Sequence, residues 1–259
     1  MMIMIGGCTK VNNSNPQALV GLHFHTYIDI NLVDPFLYPT QWFADSLGRL
    51  EHLSSAQFYV TNLSFRNKSS QAWYTIPGSV FLKRISNEIY PVGNIPAGTY
   101  DAIGFTIGLG NSLNSQPPSA FSTAAGADTV LSATEQSTMW GSVMTGMTGT
   151  PSGYTFVNVV GYDSADHLPF SYQIGGYGDT VQITLPYPAG FTIGANEPSV
   201  LQLVHVIADY GKLLQTIRPM TPSNTNSTFY GPNPVPANST LNNIVNMFRY
   251  ECPIPNGDC

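Results

Sequence analysis

The sequence predicts an all-β protein: an antiparallel β-sandwich with long surface loops and one short C-terminal helix. Three observations lead to this class. Apolar and polar residues alternate over short runs, as a sheet with one buried face requires. Turns drawn from 24 glycines and 20 prolines separate those runs. No helical segments alternate with them, which argues against βαβ units. A chain of 259 residues is long enough to bury a sizeable core in one large β domain.

The clearest strand is "GLHFHTYIDIN", where Leu22, Phe24, Ile28 and Ile30 are expected on the core face and His23, His25, Tyr27 and Asp29 on the wetter one. "AQFYVTNLSF" reads as a second strand, and "AWYTIPGSVFLKRI" as a pair broken at Pro77-Gly78. "PAGTYDAIGFTIGL" begins with a turn at Pro96-Ala97-Gly98 and continues as a strand. "YTFVNVVGY", "FSYQIG", "DTVQITLP" and "SVLQLVHVIAD" follow as later strands. Residues 110–138 are small and polar with a double proline, so they are expected to form a long surface excursion. In "STLNNIVNMFRYE", Leu241, Ile244, Val245 and Phe248 fall at helical spacing behind a Ser/Thr cap, predicting a helix packed on the sandwich.

Only 9% of residues are charged and the formal net charge is -6, so the surface is polar but largely uncharged. A nucleic-acid partner needs a clustered basic face, and Lys83-Arg84 is the only adjacent basic pair. No run of apolar residues is long enough to span a bilayer, so membrane attachment is expected only through a lipid or a partner.

The three cysteines carry information about the compartment. Cys8 follows Ile5-Gly6-Gly7, the form of a lipid-bearing cysteine behind a small-residue cleavage site. On this reading residues 1–7 are the remnant of a lipoprotein signal, 8–20 a tether and 21–259 a single domain. The competing reading is a mis-assigned start or a cloning remnant with an inert Cys8. Cys252 and Cys259 close the loop "CPIPNGDC", whose prolines and Asn256-Gly257 turn favour a disulfide and hence an oxidising compartment. The expected location is the cell envelope, at the outer membrane or cell surface, with lipid as the only membrane contact.

His23 and His25, two apart on a strand, share a face and are in reach of one metal ion with a third ligand from elsewhere. Tyr27 and Asp29 continue that face. The alternative is two ordinary solvent-facing histidines. His205 alternates in phase with Leu201, Leu203 and Ile207 and is expected in the core. His167, beside Asp163 and Asp166, reads as part of a turn, and His52 has no assigned role. No Gly-x-Ser-x-Gly elbow, Walker-type phosphate loop or His-Glu-x-x-His helix is present, and the few carboxylates sit mostly in turns, so no enzymatic activity is expected.

The order "SSAQFYVTNLSF", "VGNIPAGTYDAIGFTIGLGNSLN", "TMWGSVMTGMTGTPSGYTFVNVVGY", "PFSYQIGG" and "IVNMFRYE" resembles the MbnP-like domain family over roughly residues 20 to 250. That family is named for a methanobactin-associated, copper-linked periplasmic protein and is widespread in Bacteroidota surface lipoproteins. The resemblance implies a β-sandwich without known catalytic activity and, in some members, a copper site of histidines and an oxidised tryptophan. Trp140 falls at the family's Met-Trp position and joins His23 and His25 as a candidate metal-site residue. Two positions depart from the pattern: Gln173 stands where relatives commonly have His, and Gly110 where they usually have Asp. An amide is a poor copper ligand beside imidazole. Two functions therefore stand: an envelope binding or assembly module that contacts another envelope protein or a glycan, and a copper-binding protein.

Overall fold

The structure is a computed structural model that describes residues 16–44, 48, 50–114, 154–163, 169–175, 180–194, 200–214, 226–230 and 243–251. Its strands form two sheets, as the alternation predicts. The smaller sheet contains β1 (Gln17–Ile28), β2 (Asn31–Leu32), β7 (Ile89–Pro96), β12 (Gln202–Asp209) and β14 (Phe248–Tyr250). The larger contains β3 (Phe43–Ala44), β4 (Leu50–Asn67), β5 (Trp73–Thr75), β6 (Val80–Arg84), β8 (Gly98–Ile107), β9 (Thr155–Asp163), β10 (Pro169–Gly175), β11 (Val181–Ile193) and β13 (Asn226–Tyr230). Each strand expected from the sequence is present.

Most pairings are antiparallel, with two exceptions: β1 pairs with β12, and β10 with β13, in parallel. The first exception decides the site. β1 lies between β12 on one side and antiparallel β7 on the other, so residues near the two ends of the chain become lateral neighbours. Nearly the whole larger sheet acts as the crossover that a parallel pair needs.

The core-face residues Leu22, Phe24 and Ile28 are completely buried, while His23, His25 and Tyr27 are partly exposed. Ile30 departs from the expected alternation and is 90% exposed. The cause lies one residue earlier, where Asp29 takes a φ of 55° and turns the chain back to form β2. At the C-terminus the described part of the expected helix covers residues 243–247, and Phe248 enters β14 instead of continuing it. The open edge of β12 supplies the partners that outweigh helical spacing, pairing Ala208 with Phe248 and Val206 with Tyr250. Ile244 and Met247 are buried there, and Val245 faces outward. Of the excursion expected over 110–138, residues 115–138 lie outside the described residues.

Phe24 stands at the centre of the core. Its ring lies 6.0 Å from Phe58, 6.1 Å from Tyr90 and 6.2 Å from Phe81 and Phe105, which joins both sheets through aromatic edges and faces. Lys83 on β6 is also fully buried; its ammonium donates to the Thr26 hydroxyl on the core face of β1 and lies 5.5 Å from the Tyr210 ring. Burial pushes its pKa down to about 7, because water is lost faster than Glu88 compensates. β1 is thus held from behind by packing and by one buried amine. Phe24→Ala is expected to cost about 3–5 kcal/mol, seen as a lower midpoint of denaturant unfolding at an unchanged slope.

Candidate metal centre

The outward face of β1 carries His23 and His25, and the parallel register sets His205 of β12 directly beside His23. Residues in register on neighbouring strands point to the same side of a sheet. The expectation that His205 lies in the core is therefore corrected. The core face of β12 is Val204, Val206 and Ala208, whereas Leu203 and His205 face outward and the His205 side chain is 36% exposed. The phase read from the sequence is right; both faces of this strand are apolar, so phase alone does not say which one is inside.

The three imidazoles meet closely. His23 Nδ1 lies 3.2 Å from His25 Nε2, and His25 Nε2 lies 3.3 Å from His205 Nδ1. All three candidate ligand atoms fall within 4.8 Å of one another. Two nitrogens bound tetrahedrally at about 2.05 Å from one ion sit about 3.3 Å apart, so the facing atoms have the spacing of a shared ion. Hydrogen bonding between imidazoles accounts for the same distances only where a ring proton lies between each pair.

Two carboxylates, neither identified from the sequence, border this cluster. Glu88, just before β7, is anchored by its backbone carbonyl, which accepts from Phe24 N–H at 2.8 Å. Its Oε2 lies 3.4 Å from His23 Nε2. A proton on that Nε2 donates to Glu88 and leaves the Nδ1 lone pair facing the other two rings, which is how an outer carboxylate orients a histidine ligand. Glu251, immediately after β14, places Oε2 3.3 Å from His25 Nε2 and 3.4 Å from His205 Nδ1. That oxygen is buried and, although both ring nitrogens are within ion-pair distance, it accepts no hydrogen bond of good geometry among the described residues. A buried anionic oxygen without a donor is costly, and a cation between the imidazoles would satisfy it. The donor set thus fits a metal ion.

Glu251 is held in place through its strand. Arg249, two residues earlier on β14, donates from Nη1 to Asp209 Oδ2 at 3.0 Å and lies 5.3 Å from the Tyr27 ring. The other oxygen of fully buried Asp209 accepts from the backbone N–H groups of Asp29 and Gly211, at 2.8 and 3.0 Å. Tyr27 and Asp29, expected to support the pair of histidines, serve this corner instead of joining the cluster. At Gly211 an added Cβ would lie 2.5 Å from the Asp29 backbone nitrogen, so only glycine fits.

Burial, the neighbouring His23 and, more weakly, His205 push the His25 pKa down to about 4, with Glu88 opposing them. At neutral pH His25 is therefore an uncharged imidazole, the form that binds metal.

The remaining sequence candidates are placed less fully. Trp140, His167, Cys8, Cys252 and Cys259 lie outside the described residues. Gln173 is on β10 of the larger sheet, paired with Asn158 and Thr228, whereas the three histidines are on the smaller sheet. His52 packs near Trp42 and Tyr162, with ring centroids at 5.5 and 6.1 Å. A cleft of about 450 Å³ opens beside His205 and Glu251, walled by Tyr187, Phe191 and Tyr250.

This combination of fold and site defines an all-β sandwich that displays a histidine cluster on one sheet. Residues 20–229 match the family model for MbnP, and the chain belongs to the MbnP family. Among solved structures, MbnP from Methylosinus trichosporium matches with a TM-score of 0.51 at 12% identity, covering 85% of this chain and 82% of that one, a likeness of fold. No curated protein matches the chain.

The lowered pKa of His25 sets the sign of one pH effect. As pH falls through the ordinary value of 6.5 the unfolded chain takes up a proton that the folded state refuses until about 4. The metal-free protein is accordingly expected to lose stability across that window and to level off below it. Denaturant midpoints measured at several pH values check this, and His25→Gln should flatten the slope over the same window.

Proposed function

We propose that this protein is a non-catalytic, metal-holding module of the cell envelope that binds a divalent first-row ion, copper foremost, through His23, His25 and His205. The observation that carries the reading is the 3.2 and 3.3 Å spacing of the two facing nitrogen pairs, close to that of ligands around one tetrahedral ion, with all three candidate ligand atoms within 4.8 Å of one another. Imidazole suits copper and zinc alike, and among divalent ions copper binds such a set most strongly. The carboxylate of Glu251 at the edge of the cluster favours a divalent over a monovalent ion, since an anionic oxygen adds more to the binding of the higher charge. Glu88 acts from outside as the orienting partner of His23.

The envelope setting is part of the same proposal. Cys8 would carry the lipid, with two or three acyl chains needed for stable anchoring, and Cys252–Cys259 would form a disulfide. Trp140 is a further candidate beside the metal, as the family pattern suggests. A metal-holding role leaves room for the second reading, contact with an envelope protein or glycan, because the histidines occupy only one outer face.

The test is an equilibrium competition of copper(II) and zinc(II) between the purified protein and a chelator of known affinity. One ion per chain is expected, with copper tighter than zinc. His25→Ala and His205→Ala should each weaken binding on the order of 100-fold, and Glu88→Gln about 10-fold. Equal affinity in the wild-type protein and both histidine variants contradicts the reading.

A further inference from the structure

The larger sheet carries its own depression, on the outer face formed by β4, β8 and β11. It holds about 290 Å³ and its floor is polar, with Asn62, Thr106, Gln182 and Thr184 supplying amides and hydroxyls. None of the residues lining it is ionisable. At one end stands Trp73 of β5, 44% exposed although its ring is held in place.

The indole is positioned by groups on β4, the partner of β5, and on β8 beyond it. Arg66 places its guanidinium 5.8 Å from the ring centroid, and its Nε donates to Asp101 at 2.7 Å, so this charge is paired with a carboxylate, and neither residue lines the groove. The indole edge reaches across β4 to Gly104 on β8. A Cβ at Gly104 would lie 3.1 Å from the indole Cζ3 and 2.9 Å from Ser64 Oγ, so a side chain there would lift the ring from the sheet. On the other side, Asn62 sits at φ 55° where the β4–β8 register shifts, and its Nδ2 is 3.4 Å from Thr106 Oγ1. Asparagine tolerates that left-handed conformation better than most residues, and strained positions of this kind cluster at binding sites.

We propose that this groove binds a neutral saccharide, with one sugar ring stacked on Trp73. A pyranose has an apolar C–H face that covers an indole and a rim of hydroxyls that exchange hydrogen bonds with amides and threonines. A fixed aromatic plate beside neutral donors and acceptors meets both requirements. The absence of ionisable lining groups leaves nothing to offset the desolvation of an anionic or cationic ligand. The volume is at the low end of small-molecule sites, which suits one or two sugar units. The groove lies on a different sheet from the histidines, so this inference stands independently of metal binding.

The test uses the whole protein and a panel of maltose, cellobiose, lactose, mannobiose and N,N′-diacetylchitobiose, with binding followed by saturation-transfer NMR and by tryptophan fluorescence. Saturable binding of at least one neutral disaccharide is expected, weakened about tenfold by Trp73→Ala. Gln182→Ala, an exposed change that spares the sheet, should also weaken it, while the far-ultraviolet circular dichroism of both variants stays that of the wild type. Three results would each overturn the proposal: no saturable binding across the panel, binding unaltered in Trp73→Ala, or preference for an anionic sugar such as sialyllactose over every neutral one.

Discussion

The parallel pairing of β1 with β12 is the constraint on which the site depends. Sequence neighbours on a strand supply two histidines to one face without further help, because alternation does so automatically. The third comes from a residue 180 positions away, and only the register that sets His23 against His205 brings it in. A slip of one residue would turn His205 into the core and replace it with an aliphatic side chain. The fully buried Val204 and Val206 on one strand and Leu22 and Phe24 on the other oppose that slip. Hydrophobic packing on the hidden face therefore fixes chemistry on the visible one.

A second constraint is electrostatic. Three imidazoles held this close cannot all be protonated, since like charges a few ångströms apart repel strongly in a half-buried setting. Burial keeps His25 neutral and available as a ligand, while Glu251 sets a buried carboxylate oxygen beside it that accepts no well-aligned hydrogen bond among the described residues. The Asp209–Arg249 pair neutralises itself next door and ties β14 to β12, so it positions Glu251 without adding net charge to the cluster. The apo arrangement is costly in a way that a divalent cation relieves. That coupling between folding and loading is expected wherever a fold builds ligands before the ion arrives.

Much of the fold is legible in the sequence because its physical signal is local. Alternation along "GLHFHTYIDIN" and the turns at Pro77-Gly78 and Pro96-Ala97-Gly98 record which face is wet and where strands end. The parallel edge is not legible, because nothing local in "SVLQLVHVIAD" states which strand it will pair with. The same strand misleads about His205, as valines on one face and leucines on the other make both appear buried. Ile30 misleads because a single left-handed residue at Asp29 ends the alternation. Two of the five residues of the candidate site, His23 and His25, follow from spacing; His205, Glu88 and Glu251 follow only from register and strand ends. Glu251 carries one faint cue, since it extends the "MFRYE" segment that resembles the MbnP-like pattern.

X-ray absorption at the copper edge of the loaded protein distinguishes a site built on the β1–β12 register from any other. A three-histidine site gives three imidazole nitrogens at about 2.0 Å, with the multiple-scattering signature of histidine reduced by one ring in His205→Ala. A spectrum that His205→Ala leaves unchanged would contradict it, because the ion would then reside away from the β1–β12 register.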